Sequence, residues 1–242
     1  MSALEHALGL VLDPPDPRDL LWGTLVPRRR AKLPASYRRR TCGPVLEQGT
    51  KPHCVAYATA TLKMVDEWKE SGAAKTWHAF DTDWMFARCK ELDGKPRSRG
   101  TNLRTALKIV KNEGYPARGT YVRARRREGP ERTFKLKSYV KLDSLREIKE
   151  AVKSVGPVAI GIRVDEGIHK PLNGVLPEPT GKPFGGHAMV VTGWDDTLGA
   201  LRLKNSWGYD WADRGFAWMP YSHLEAYRWN AWKAVDLAEL PT

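Results

Sequence analysis

Three side chains in this sequence combine into a nucleophile, a base and an orienting amide: Cys54, His187 and Asn205. Cys54 follows Gln48-Gly49-Thr50-Lys51-Pro52-His53, and an apolar run with helical spacing starts beside it. Proline is favoured in a helix's first turn, where its missing N–H would go unpaired anyway, so a helix starting at Pro52 is expected. Free N–H groups and the positive end of the helix dipole would then lower the thiol pKa of Cys54. His187 follows Gly185-Gly186 and opens the apolar run Ala188 to Thr192, at the mouth of an expected strand. Two glycines there let another backbone, or a substrate, come close. Asn205 ends the next apolar run, in Lys204-Asn205-Ser206-Trp207-Gly208. A neutral amide can hold an imidazole in its useful tautomer, and Trp207 can shield that bond from water. Taken singly, each has a plainer reading: a small buried helix residue, a structural histidine, a turn asparagine.

The elements that must position these groups change character midway. Helices are expected from Pro52 to about Gly72, from Asp83 to about Leu92 with Asp81 or Asp83 as cap, and from Leu103 to Asn112. A fourth, from Ser144 to about Val155, opens with the capping pair Ser144 and Glu147. After Gly156-Pro157 short β-rich runs take over: 158–164, 187–194, 201–206, 216–219 and 232–235. Helices first and strands second imply an α+β fold of two lobes meeting at a cleft. Residues 1–40 read as an extended N-terminal arm, with Asp13-Pro14-Pro15-Asp16-Pro17 favouring extended backbone and Leu20, Leu21 and Trp22 pinning it to the body. The domain proper is 41–242, with a helical lobe over about 45–120 and a β-rich lobe over about 130–240. The basic stretch Arg123 to Arg127 is expected to be a loop or hairpin between them.

Four separated pieces, in one order, resemble the papain-like cysteine peptidases (papain and the cathepsins). Gln48 to Ala56 is similar to that family's active-site helix start, including the six-residue step from Gln to Cys. Asn205-Ser206-Trp207-Gly208, with Trp211, is similar to its asparagine segment. His187 and Asn205 follow Cys54 at roughly the 130–150 residues typical of the family. Gly100-Thr101 stands where the family has a glycine pair, and Asp13 to Asp19 resembles a stretch preceding the peptidase body in compact prokaryotic members. The resemblance implies a papain-like two-lobe fold and a cysteine peptidase with Cys54, His187, Asn205 and Gln48 as catalytic residues. It implies a Cys54 thiolate–His187 imidazolium pair, a thioester intermediate, and an oxyanion hole made by Gln48 and the Cys54 N–H. Gly100, Thr101, Gly186 and Trp207 are the candidate substrate-contacting residues. No cofactor and no metal are implied. This sequence departs from the family at Lys51, where secreted members have a disulfide cysteine, at His53 and Val55 flanking the nucleophile, and at Ala212. No long helical pro-domain precedes Gln48, so inhibition by one is not expected.

Composition bounds the rest. The 242 residues are 41% hydrophobic with ten Trp, enough for a sizeable core. No apolar run is long enough to cross a bilayer, and Met1 to Leu12 lacks a basic n-region, so a cytoplasmic protein with no membrane partner is expected. Three cysteines, Cys42, Cys54 and Cys89, are too few for a disulfide framework; Cys42 and Cys89 could pair, but free thiols in a reducing compartment are the expectation. Beside a peptide or protein substrate, the net charge of +12 suits an acidic substrate or a polyanion, met by Arg28 to Arg30, Arg38 to Arg40 and Arg123 to Arg127. Two other uses of such a chain are a catalytically silent scaffold binding nucleic acid or another polyanion, and an amidase or transpeptidase with the same site.

Overall fold

A computed structural model describes residues 6–26, 32–94, 97–235 and 240. In chain order its elements are α1 (Trp22–Leu25), β1 (Ser36–Arg38), α2 (Cys54–Glu70), β2 (Trp77–Phe80), α3 (Thr82–Leu92), α4 (Leu103–Asn112), β3 (Tyr115–Val122), β4 (Arg125–Phe134), β5 (Ser138–Leu142), α5 (Leu145–Ser154), β6 (Val158–Val164), β7 (Gly185–Asp195), β8 (Ala200–Lys204), β9 (Phe216–Pro220), α6 (Ser222–Ala226) and β10 (Trp229–Val235). An antiparallel sheet runs β5-β10-β6-β7-β8-β9, and β1 pairs with the far end of β7 where β6 stops. A second, three-stranded sheet, β2-β3-β4, is built from residues 77–134. The fold is α+β, mixed helix and antiparallel sheet.

Two cores share the large sheet through the two-residue alternation of its strands. Ala159 on β6, with Ala188 and Val190 on β7, joins a core built around α2 and α4. Their neighbours Val158 and Ile160, Met189 and Val191 join the opposite core, with α5 and Trp207. Helix α2 is buried nearly all round over Cys54 to Val65, as befits an element lying between lobes. Helix α4 instead buries one face, Leu103, Ala106, Leu107, Ile109 and Val110, and Asn102 caps it by accepting from Thr105 N–H at 2.8 Å.

Several expectations need correction. Pro52 lies outside α2, which begins at Cys54 with His53 as its N-cap. Asp81, not Asp83, caps α3, accepting from Trp84 N–H at 2.9 Å. Ser144 does accept from Glu147 N–H at 3.2 Å, while the Glu147 carboxylate reaches back to Asp143 N–H at 2.7 Å. Arg125 to Arg127 are strand residues: β3 and β4 form a long hairpin within the three-stranded sheet. The arm is not extended throughout, since it contains α1 and joins the large sheet through β1. Of the three expected pins only Trp22 is buried; Leu20 and Leu21 are 40% and 39% exposed. Arg28 to Arg30 lie outside the described residues.

Candidate active site

Helix α2 carries Cys54 in its first turn, β7 carries His187 near its start, and Asn205 follows the last residue of β8. His187 and Asn205 meet directly, with Nε2 and Oδ1 2.7 Å apart. The same Asn205 oxygen accepts the backbone N–H of Ser206 at 2.8 Å. A backbone N–H can only donate, so that atom is the amide oxygen, and His187 must carry its proton on Nε2. Nδ1 is then a bare, basic nitrogen. It is buried and has no hydrogen-bond partner among the described residues. Trp207, 1% exposed, lies over this bond with its ring centroid 4.6 Å from that of His187.

Gln48 sits across the cleft. Its Oε1 accepts from Ser206 Oγ at 2.7 Å, which turns the amide N–H₂ the other way. Nε2 then donates to the carbonyls of Lys51 (2.8 Å) and Ala7 (2.9 Å). Ser206 therefore serves two groups at once, fixing Gln48 through its side chain and Asn205 through its backbone. Its sequence position beside Asn205 was the only signal, and it gave no hint of the link to Gln48. His53, next to the nucleophile, is occupied elsewhere: it stacks on Phe86 with centroids 4.0 Å apart and pairs with Asp83 at 3.1 Å.

What fills the cleft has no signature in the sequence. Residues 6–11 of the arm run through it. Thr101 N–H donates to Gly9 O at 3.0 Å, and Val11 N–H donates to Thr101 O at 2.8 Å, a parallel pairing centred on Leu10. Leu10 N–H donates to Gly186 O at 3.1 Å. His6 stacks on Trp207 with centroids 4.8 Å apart. Close approach explains the glycines: a Cβ on Gly100 would lie 2.7 Å from Gly9 O, and one on Gly186 2.5 Å from Leu10 O. The Leu10 side chain packs where Gly161 lacks one, beside Leu103. Gly100, Thr101, Gly186 and Trp207 thus all contact the arm.

Burial also sets the protonation of the site. Burial pushes the Cys54 thiol up to about 11, although the N–H groups of Ala188, Gly9, Val55 and Cys54 face the sulfur and oppose the shift. Burial pulls His187 down to about 4, its Asn205 bond opposing and the nearby His169 and His6 adding to the fall. Burial thus opposes the thiolate–imidazolium pair implied by the resemblance. The helix terminus favours a thiolate, but complete desolvation outweighs it. Cys42 and Cys89 are likewise buried and free, with thiols raised by burial.

The bare Nδ1 of His187 can take a proton, and the Gln48 N–H₂ can hold a carbonyl oxygen. With the arm docked, Gln48 holds the carbonyl of Ala7 while the sulfur faces the N–H of Gly9. No single peptide unit is gripped by both. Among the described residues no group of side chains is arranged to hold a metal ion.

The profile of the papain family cysteine proteases matches residues 35–229. A gut-specific cysteine proteinase of Caenorhabditis elegans is 32% identical over 85 residues, covering 34% of this chain and 26% of the relative. Cathepsin B-like cysteine proteinase 3 of Ostertagia ostertagi is 28% identical over 133 residues, 54% of this chain and 66% of the relative. The chain thus spans about a quarter to two thirds of the length of these relatives. Among solved structures, xylellain, a cysteine protease from Xylella fastidiosa, superposes with a TM-score of 0.77 at 19% identity, covering 96% of this chain and 97% of that one. Procathepsin B S9 of Trypanosoma congolense gives 0.74 at 15% identity, covering 95% and 86%. At these identities the structural likeness speaks to the fold alone.

Proposed function

Because the chain belongs to the papain family of cysteine proteases, we propose that it is a cysteine peptidase that hydrolyses peptide bonds with Cys54, and that its own arm holds it latent. The observation that carries this reading is the 2.7 Å His187–Asn205 bond, whose direction leaves Nδ1 bare for the thiol proton. Once the arm leaves and water returns, His187 Nδ1 takes that proton and the sulfur attacks the substrate carbonyl carbon. The carbonyl electron pair moves onto oxygen, which Gln48 Nε2 and the Cys54 N–H stabilise. The imidazolium then gives its proton to the departing amine as the C–N bond breaks, leaving a thioester. Water attacks the thioester with His187 as base, and the proton returns to Cys54 as the C–S bond breaks. Asn205 keeps the ring in one tautomer throughout.

The arm suggests what the cleft accepts. Gly100, Thr101 and Gly186 offer backbone groups to an extended chain, and the seat taken by Leu10 is apolar, floored by Gly161 and walled by Leu103. Peptides presenting a leucine-like side chain to that seat are the proposed substrates, with an acidic preference confined to positions outside it. No described helix is long and apolar enough to cross a membrane. Three unpaired buried thiols fit a cytoplasmic, reducing setting.

A peptide-library digest tests the reading. The full chain carrying Gly9→Val, which evicts the arm, should cleave, and the same chain with Cys54→Ala should not. Equal cleavage by the two would remove Cys54 from the chemistry.

A further inference from the structure

A cavity of about 1170 Å³ lies away from Cys54, between β1 and the segment that follows it, the end of β8, and the loop preceding β9. Arg38, Arg39, Arg40, Arg202 and Arg214 line it, against one carboxylate, Asp213. Among the described residues none of the five arginines has a carboxylate within 4.0 Å. Several guanidiniums elsewhere are neutralised, Arg88 by Glu91 and Glu113, Arg104 by Asp19, Arg118 by Glu131 and Arg126 by Glu128. Five guanidiniums without a carboxylate partner are thus gathered around one space.

Aromatic rings hold two of these groups in place. The Arg38 guanidinium lies over the Trp218 ring at 5.4 Å, and that of Arg202 over Phe216 at 3.9 Å. A guanidinium stacked on a ring keeps its in-plane N–H edge free for a ligand. Arg39 gives one Nη1 bond to Val152 O at 2.9 Å, while its Nε is buried without a partner. Arg214 sits at φ +53°, in a loop where Ala212 (φ +50°) and Gly215 (φ +84°) are also left-handed. Backbone strain of this kind persists only where the surroundings impose it. Here it accompanies an arginine at the rim of a cavity already lined by four more.

We propose that this cavity binds a short chain of phosphates, either inorganic or carried on a nucleoside. Guanidiniums arriving from three separate segments call for a ligand that packs several charges and many acceptor oxygens into a small unit. Contiguous phosphates do this, and each can take a two-pronged bond from an arginine edge. An acidic peptide spreads its carboxylates on flexible stems and meets the same cluster less completely. The cavity exceeds the roughly 300–1,000 Å³ of ordinary small-molecule sites, so a triphosphate fits. This inference rests on the cavity alone and is independent of the proposed peptidase activity.

Calorimetric titration of the full chain tests it, with tripolyphosphate, a nucleoside triphosphate, orthophosphate and sulfate as probes. Tripolyphosphate should bind saturably and at least tenfold more tightly than orthophosphate or sulfate. A nucleoside triphosphate binding more tightly still assigns the natural ligand to nucleotides, and equal binding assigns it to the phosphate chain itself. Replacing the exposed Arg38, Arg40 and Arg214 together by Gln should weaken tripolyphosphate at least tenfold without shifting the thermal midpoint. Replacing Arg125 and Arg127 on β4 by Gln, the same chemistry on another sheet, should leave affinity unchanged. Sulfate binding as tightly as tripolyphosphate, or equal losses from both sets of substitutions, would overturn the proposal in favour of diffuse attraction.

Discussion

The hydroxyl of Ser206 donates to the side-chain oxygen of Gln48 at 2.7 Å, across 158 residues of chain. A primary amide has two orientations of nearly equal shape, and this bond selects the one with N–H₂ toward the cleft.

Ser206→Ala should therefore lower kcat by about tenfold and leave KM within about twofold. Full loss of such a donor costs about 10²–10³, and a misoriented amide still donates part of the time. The split between kcat and KM, measured on a cleaved peptide, separates this role from general destabilisation, which would instead reduce the amount of active enzyme.

Gly9 offers a direct handle on the arm. A Cβ there would lie 1.8 Å from Pro52 O, a backbone atom that cannot swing aside. Gly9→Val should expel residues 6–11, speed alkylation of Cys54 at neutral pH by at least tenfold and raise peptide cleavage. The thermal midpoint should fall modestly, because Leu10, which leaves with the arm, packs in the core around α2 and α4. Unaltered Cys54 labelling would mean that the arm does not shield the thiol.

Occlusion should depend on pH in a defined window. His187 titrates near 4 when covered and near its ordinary 6.5 when exposed, so the covered form binds fewer protons between those values and loses stability as pH falls through them. Cys54 titrates near 11 when covered against an ordinary 9, so the covered form loses stability as pH rises from 9 to 11. His6 and His169 also face His187 and add to the fall in its pKa, and Glu47 lies 3.7 Å from His6. Proteolytic clipping of the arm should be slowest between about pH 6.5 and 9 and faster on either side. A flat profile would separate occlusion from the titration of this pair.

Asp13 anchors the arm's exit from the cleft. Its carboxylate accepts from Trp232 Nε1 at 2.7 Å and from Arg104 N–H at 3.1 Å, and its own N–H donates to Asn230 Oδ1 at 2.8 Å. Asp13→Ala strands two buried donors, which costs about 1–3 kcal/mol each when unsatisfied. The variant should unfold at lower denaturant and label faster at Cys54.

The sequence made some of this architecture readable and hid the rest for physical reasons. Helix α4 announces itself through one apolar face, and β6 through a continuous apolar run. The β3–β4 hairpin was read as a loop or hairpin between lobes because Arg125 to Thr133 is exposed on both faces, leaving no alternation to detect. Backbone pairing and contacts such as Arg118–Glu131 support it instead. His187 and Asn205 were marked by the turns and apolar runs around them. The course of residues 6–11 was not, since it depends on clearances at Gly9, Gly100 and Gly186 that only the folded body creates. The state of Cys54 was misjudged for the same reason: a local helix terminus suggests a low pKa, and distant chain removes the water that would permit it.

Trp22, 1% exposed, fastens the arm to the body only a dozen residues beyond Leu10. A peptide entering the cleft must therefore displace a tethered rival whose effective concentration is set by that leash, of millimolar order for a short linker. Dilution does not weaken such a rival, because it travels with the enzyme. Latency of this kind yields to substrate abundance and to anything that pulls the leash, and it restores itself when either is withdrawn.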